Sequence, residues 1–184
     1  MKGKRPVDFN MKLTLLLIEN ETYFQQILGN RFQREGFDLL CARRMAEAKA
    51  LVTRKKIDVT LLDLSVLKGQ GLGILKAIKQ SRPLTEIITI NNSDHFGLSL
   101  DAMKLGAYDD FLIPIDINAL MDRIKAAGSQ KQRNERQRRS VFQVYQDVMA
   151  AAAFAEAGEA ETAKTIAEKK SKQRKTRKGD QNGG

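Results

Sequence analysis

The stretch IDVTLLDLSVLKGQG, residues 57–71, holds the carboxylate best placed to do chemistry. Val59, Leu61 and Leu62 give a short buried-strand pattern that ends on Asp63, and Gly69 and Gly71 close the loop beyond it. In an open parallel sheet, ligands and chemistry sit just past the carboxyl ends of the strands, so an acid there is presented to solvent. The plainer alternative is an acid that caps a loop. Other reactive types read more simply. His95 beside Asp94 is a solvated histidine at a helix start, and Cys41 is a small apolar filler with no partner thiol or histidine. Gly69, Gly71 and Gly73 are not a phosphate loop, because no GK[ST] follows them.

The elements that must position Asp63 alternate regularly. An apolar run at 13–18 suits a parallel strand covered on both faces and ends at Glu19-Asn20. Phe24, Ile27, Leu28 and Phe32 then share one helical face, with Asn20 as N-cap and Gly36 as the stop. A second strand at 37–40 precedes a helix over 44–55 with Met45, Ala48, Leu51 and Val52 at helical spacing. The central strand at 57–62 leads to a helix carrying Leu72, Leu75 and Ile78, and Pro83 turns the chain into a fourth strand at 86–90. Leu98, Ala102 and Leu105 mark a helix ending at Gly106, followed by a fifth strand at 108–113. Ile117, Leu120, Met121 and Ile124 form the fifth helix, capped by Asp116. Such alternation with short connections implies right-handed crossovers and an α/β doubly wound parallel sheet of five strands.

The chain has 184 residues, enough for one ordinary domain and an appendage. Its 32 Lys and Arg against 22 Asp and Glu give a formal charge of +10, which suits nucleic acid, acidic membrane or acidic protein without choosing among them. One cysteine excludes an intramolecular disulfide and a cysteine zinc cluster, and fits a reducing cytoplasm. The apolar run LTLLLI is too short for a membrane span or a signal peptide. After Gly128 the sequence SQKQRNERQRRS reads as a basic linker or as continuation of the fifth helix. Beyond it Val141, Val144, Tyr145, Val148, Met149 and Ala152 recur at helical spacing, and Ala160, Ala163, Ile166 and Ala167 suggest a return helix after Gly158. The expected organisation is an N-terminal extension at 1–10, the α/β domain at 11–128, the linker or continuation at 129–140, a helical hairpin at 141–170, and a disordered basic tail at 171–184.

The alternation, with an acid ending the third strand, resembles the response-regulator receiver domain of two-component signalling, a flavodoxin-like fold, over about two-thirds of the chain. The resemblance implies that Asp63 is the phosphoacceptor and that Glu19-Asn20 stands for the acidic pair of the first strand. Gly71-Leu72, Pro83, Gly106-Ala107 and Pro114 fall where the family pattern has them. Phosphoryl attack by an aspartate needs charge neutralised on the transferred oxygens, normally by a hard divalent ion held by carboxylates and by a lysine. The implied Mg²⁺ ligands are Glu19, Asn20, Asp63 and the Ser65 carbonyl. Several positions depart from the pattern. Asn20 is a neutral second member of the pair; Asn91 stands for the family's Thr or Ser; Asp110 replaces the aromatic switch residue; and Ile113, before Pro114, replaces the lysine. Ser93 is a possible substitute hydroxyl.

The resemblance implies a cytoplasmic phosphorelay protein that takes phosphate at Asp63 from a histidine kinase or phosphotransfer protein. Its output is protein association, with a downstream partner or as a homodimer, and not catalysis on a metabolite. One alternative is a phosphorylation-independent adaptor that keeps the fold and has lost the chemistry. The other is a nucleic-acid-associated regulator acting through the basic end, for which the sequence has no motif.

Overall fold

The computed structural model describes residues 12–64, 70–92 and 96–156. The elements are β1 (Thr14–Ile18), α1 (Thr22–Arg34), β2 (Asp38–Ala42), α2 (Met45–Arg54), β3 (Val59–Asp63), α3 (Gly71–Ser81), β4 (Glu86–Asn92), α4 (Phe96–Lys104), β5 (Asp109–Ile113) and α5 (Ile117–Glu156). All strand pairs are parallel, in the order β2-β1-β3-β4-β5. The chain moves outward from β1 to β2, then crosses back to β3 on the other side of β1. That reversal opens a crevice at the carboxyl ends of β1 and β3, where open α/β sheets bind ligands.

Alternation along the strands builds a core on each face of the sheet. Leu16, Ile18, Leu62 and Ile87 face α2, α3 and α4, where Ala48, Val52, Ile74, Leu75, Ile78 and Ala102 are buried. Leu15, Leu17, Leu61, Ile88 and Ile90 face α1 and α5, where Leu28, Phe32, Leu120, Met121 and Ile124 are buried. Strands covered on both sides read as largely apolar runs, as at 13–18, and in β3 the buried Thr60 lies among Val59, Leu61 and Leu62.

Several sequence expectations shift. The second strand runs on to Ala42, so Cys41 lies inside it, and β4 reaches Asn92, so Asn91 is a strand residue. Asn20 does not cap α1: the helix starts at Thr22 with Glu21 as its N-cap residue, and no side chain fills that role. The Glu21 N–H instead meets Glu19 Oε1 at 2.8 Å, which carries the chain one residue past the expected start. Ile27 is 46% exposed and leaves the buried face that Leu28 and Phe32 share. Gly36, at φ +82°, does end the α1 turn. Asp116 caps α5 as expected, its Oδ1 accepting the N–H groups of Asn118 at 2.9 Å and Ala119 at 3.2 Å.

The composition break at residue 128 is not a helix end. Residues 129–140 continue α5, since Lys, Gln, Arg and Glu are strong helix formers and no proline interrupts them. Compact units divide later, into Met1–Arg133 and Asn134–Gly184. The first arm of the expected hairpin is therefore the end of α5. Its return arm, the basic tail, the 1–10 extension and the Phe24 side chain lie outside the described residues. No helix among the described residues is long and apolar enough to cross a membrane.

Within the first unit two contacts hold α5 against the amino-terminal edge of the sheet. A Cβ on Gly128 would lie 2.5 Å from Leu13 Cδ1, so only hydrogen fits without displacing that side chain. One turn later Lys131, 3% exposed, donates from Nζ to the Ile57 carbonyl at 2.9 Å and to Asp58 Oδ1 at 2.7 Å. Asp58 Oδ2 in turn accepts the Thr14 N–H at 2.9 Å, so one carboxylate ties α5 to both β1 and the start of β3. Removing the cation alone leaves a half-buried carboxylate poorly compensated. Lys131→Ala should lower the unfolding free energy by about 2–4 kcal/mol in urea titration of the full chain; a loss under about 0.5 kcal/mol would show the pair to be energetically neutral.

Candidate functional site

The register between β1 and β3 sets Ile18 beside Leu62, so the next residues, Glu19 and Asp63, emerge from neighbouring strand ends at the crevice. Asp63 is the last residue of β3, pairs in register with Ile90, and is 9% exposed. Just past it, Leu64 N–H donates to the Ile90 carbonyl at 2.9 Å, and a Cβ on Gly71 would come within 2.6 Å of the Leu64 carbonyl oxygen. Only glycine lets the start of α3 approach the backbone there.

Glu19 is 2% exposed, and its backbone N–H donates to the Ala42 carbonyl at 3.1 Å. Burial pushes its carboxyl up to about 7, the neighbouring charge of Asp63 adding to the effect, while the N–H groups of Glu21 and Asn20 partly offset it. An acid so raised marks a site where negative charge is under-compensated. A hard cation placed between Glu19 and Asp63 would supply that compensation, so the donor set fits Mg²⁺ with fewer charges than a three-acid set. Asn20 is exposed beside it as a neutral oxygen donor. Among the described residues no three His, Cys, Asp or Glu side chains gather into a metal-binding group. Ser65, Ser93, Gly69 and His95 lie outside the described residues.

The departing positions are each settled locally. Asn91 is 1% exposed; its Nδ2 donates to Ser99 Oγ at 3.1 Å, and its Oδ1 accepts the Asn92 N–H at 2.9 Å. The amide is thereby tied to α4. Asp110 pairs in register with Thr89 and accepts its hydroxyl proton in a short hydrogen bond, so the residue in the aromatic position is turned to its neighbouring strand. Ile113 ends β5 opposite Asn92, 48% exposed, ahead of a cis bond to Pro114. Cys41 is not activated: desolvation raises its thiol above the usual range and outweighs the nearby Arg43 charge.

Sequence reasoning missed the Asn91–Ser99 and Thr89–Asp110 pairs and the Lys131 anchor. The anchor had a signal, because Leu120, Ile124, Ala127 and Lys131 continue one helical stripe at three- and four-residue spacing. The strand-to-helix pair and the cross-strand pair had none, since neither helix docking nor register is written in a single segment.

Residues 15–125 match the family model described as response regulator receiver domain. The chain is 28% identical over 112 residues to the response regulator protein PilR of Pseudomonas aeruginosa, an alignment covering 61% of this chain and 25% of that protein. It is 26% identical over 115 residues to the photosynthetic apparatus regulatory protein RegA of Rhodobacter capsulatus, covering 62% of each. It thus spans a quarter to under two-thirds of these relatives' lengths. A crystal structure of a response regulator receiver domain protein (CheY-like) from Methanospirillum hungatei JF-1 superposes with a TM-score of 0.63 at 17% identity, covering 67% of this chain and 99% of that one.

The raised acid makes stability depend on pH in a definite direction. Between 4.5 and about 7 the folded chain holds a proton on Glu19 that the unfolded chain has released, so stability falls as pH rises through that window. In magnesium-free buffer, Glu19→Gln should remove this slope and leave the variant about 1–3 kcal/mol more stable than wild type at pH 8, with little difference at pH 5. Urea titrations at both pH values check it; an unchanged slope in the variant would place the titration elsewhere.

Proposed function

The chain belongs to the response regulator receiver domain family, and from that premise we propose that it accepts a phosphoryl group at Asp63 and acts through association with another protein. The observation that supports this reading is the register of β1 on β3, which ends both strands at the switch-point crevice just where Glu19 and Asp63 follow Ile18 and Leu62. The donor would be a phosphohistidine of a kinase or phosphotransfer protein, or a small acyl phosphate.

Transfer requires an ionised, accessible Asp63 oxygen to form the new bond to phosphorus as the bond from phosphorus to the donor atom breaks. Glu19, Asp63, Asn20 and the Ser65 carbonyl would hold Mg²⁺, which when bound neutralises charge on the phosphoryl oxygens. Glu19 must be ionised to serve, so cation binding should strengthen as pH rises past 7. The rest of the chain's contribution is positional: the β3 backbone holds Asp63, and the close Gly71–Leu64 approach sets the start of α3 against the end of β3.

A second reading has its own observation. Ile113 puts an exposed apolar side chain where a phosphate-pairing lysine would be, and Asn91, in the hydroxyl position, is bonded to Ser99. A conformational signal that needs both positions to move toward phosphate lacks its moving parts here. This favours an adaptor whose face is fixed, with Asp63 modified or not. The nucleic-acid reading rests on the basic tail, which lies outside the described residues.

Intact mass of the full chain after incubation with Mg²⁺ and acetyl phosphate tests the first reading. The expected outcome is one phosphoryl adduct on wild type and none on Asp63→Ala. If a cognate kinase also leaves wild type unmodified, the adaptor reading takes its place.

A further inference from the structure

In the second unit, α5 carries an apolar face that is exposed among the described residues. Val141, Phe142, Val144, Tyr145, Val148 and Met149 are 70, 59, 37, 61, 60 and 51% exposed. At about 3.6 residues per turn these six span an arc of about 160°, wider than a two-helix seam needs. Two of them are aromatic, each able to bury about 150–250 Å². Together the face offers on the order of 500 Å² per copy, so two copies reach the roughly 1,000 Å² at which specific interfaces begin.

We propose that a second copy of this chain covers this face, the two α5 helices running antiparallel and crossing near Tyr145. Charge along the helix selects both the occupant and its direction. Upstream of the face the helix is net basic, with Arg136, Arg138 and Arg139 against Glu135, and downstream it reaches Glu156. Glu156 lies five turns of about 3.6 residues beyond Arg138, so both stand on the side of the helix that carries the apolar face. In an antiparallel pair centred on Tyr145, Glu156 of one copy falls beside Asn134 of the other, one turn or about 6 Å along the axis from Arg138, while the adjacent Glu135 lies about 60° further from the seam. Arg138 itself falls beside Ala152, a side chain small enough to let it pass. The contact occurs twice by symmetry, as an isologous interface requires. A parallel pair would instead set Arg138 against Arg138 and Glu156 against Glu156, a like-charge arrangement at both ends.

The chain's own downstream sequence is a poorer match. Ala160, Ala163, Ile166 and Ala167 bring one large apolar side chain to a face of six. A basic partner would meet the arginines, and an acidic partner would leave Glu156 opposed. The self-complementary charge order suits a copy of the same helix.

The test is sedimentation equilibrium of the full chain at low ionic strength without phosphodonor, so its result is independent of the acceptor chemistry at Asp63. Wild type should dimerise. Val148→Glu, at an exposed position whose folding is checked by circular dichroism, should raise the dissociation constant by at least about 30-fold. Arg138→Glu should weaken dimerisation about 5- to 10-fold, and Arg138→Glu with Glu156→Arg should return it to within about twofold of wild type. A monomeric wild type, or a dimer that Val148→Glu leaves intact, overturns the proposal. Loss on Arg138→Glu without rescue by the double swap overturns the antiparallel direction.

Discussion

Everything at the candidate site depends on one register, the parallel pairing that sets Ile18 beside Leu62. Both strands are buried on both faces, and a slip of one residue would exchange the two core faces, so the pairing is fixed by the packing of the whole sheet. The next residue on each strand is an acid. Two acids thus emerge from neighbouring strand ends at the mouth of the sheet, and burial, with the charge of Asp63 adding to it, raises the Glu19 carboxyl. The core holds them there against that repulsion, which gives the crevice its appetite for positive charge.

Most of this was legible in the sequence because the β1 and β3 stretches are short and mostly apolar and each runs straight into an acid. The alternation of strand and helix fixed the order of elements, and Asp116 and Gly36 punctuated the helices where expected. Cys41, Asn91 and Asn20 were misplaced by one or two residues. In each case the element end was decided by a tertiary partner: β1 beside Ala42 in register with Ile18, β5 beside Asn91, and the Glu19 carboxylate on the Glu21 N–H. Element ends are where local propensity is weakest and neighbours decide.

The unusual residues of the pocket form stable local arrangements. Asp110, which burial would disfavour alone, receives the Thr89 hydroxyl across the strand pair. Asn91, almost fully buried, engages both ends of its amide, one with α4 and one with its own strand. A hydroxyl at position 91 with an aromatic at 110 would leave two side chains with alternative positions to occupy. The amide and the acid found here have bonded partners.

Helix α5 meets two different physical requirements along its length. Through Arg133 it belongs to the first unit, where Leu120, Ile124 and Ala127 pack in the core and Lys131 closes the stripe with an ion pair. From Asn134 on, the helix is built from good helix formers, with Gln143 donating to Asp147 one turn away at 3.1 Å. Propensity of this kind is marginal in water for a segment of a few turns, and most helical stability in proteins comes from packing an apolar face. Val141, Tyr145 and Val148 are such a face, and burying each would contribute about 1.5–3 kcal/mol. Covering the face and keeping the helix are therefore one thermodynamic problem. A solution that uses two copies solves it for both chains at once, and the arginines and glutamate at its ends decide which way the second copy must run.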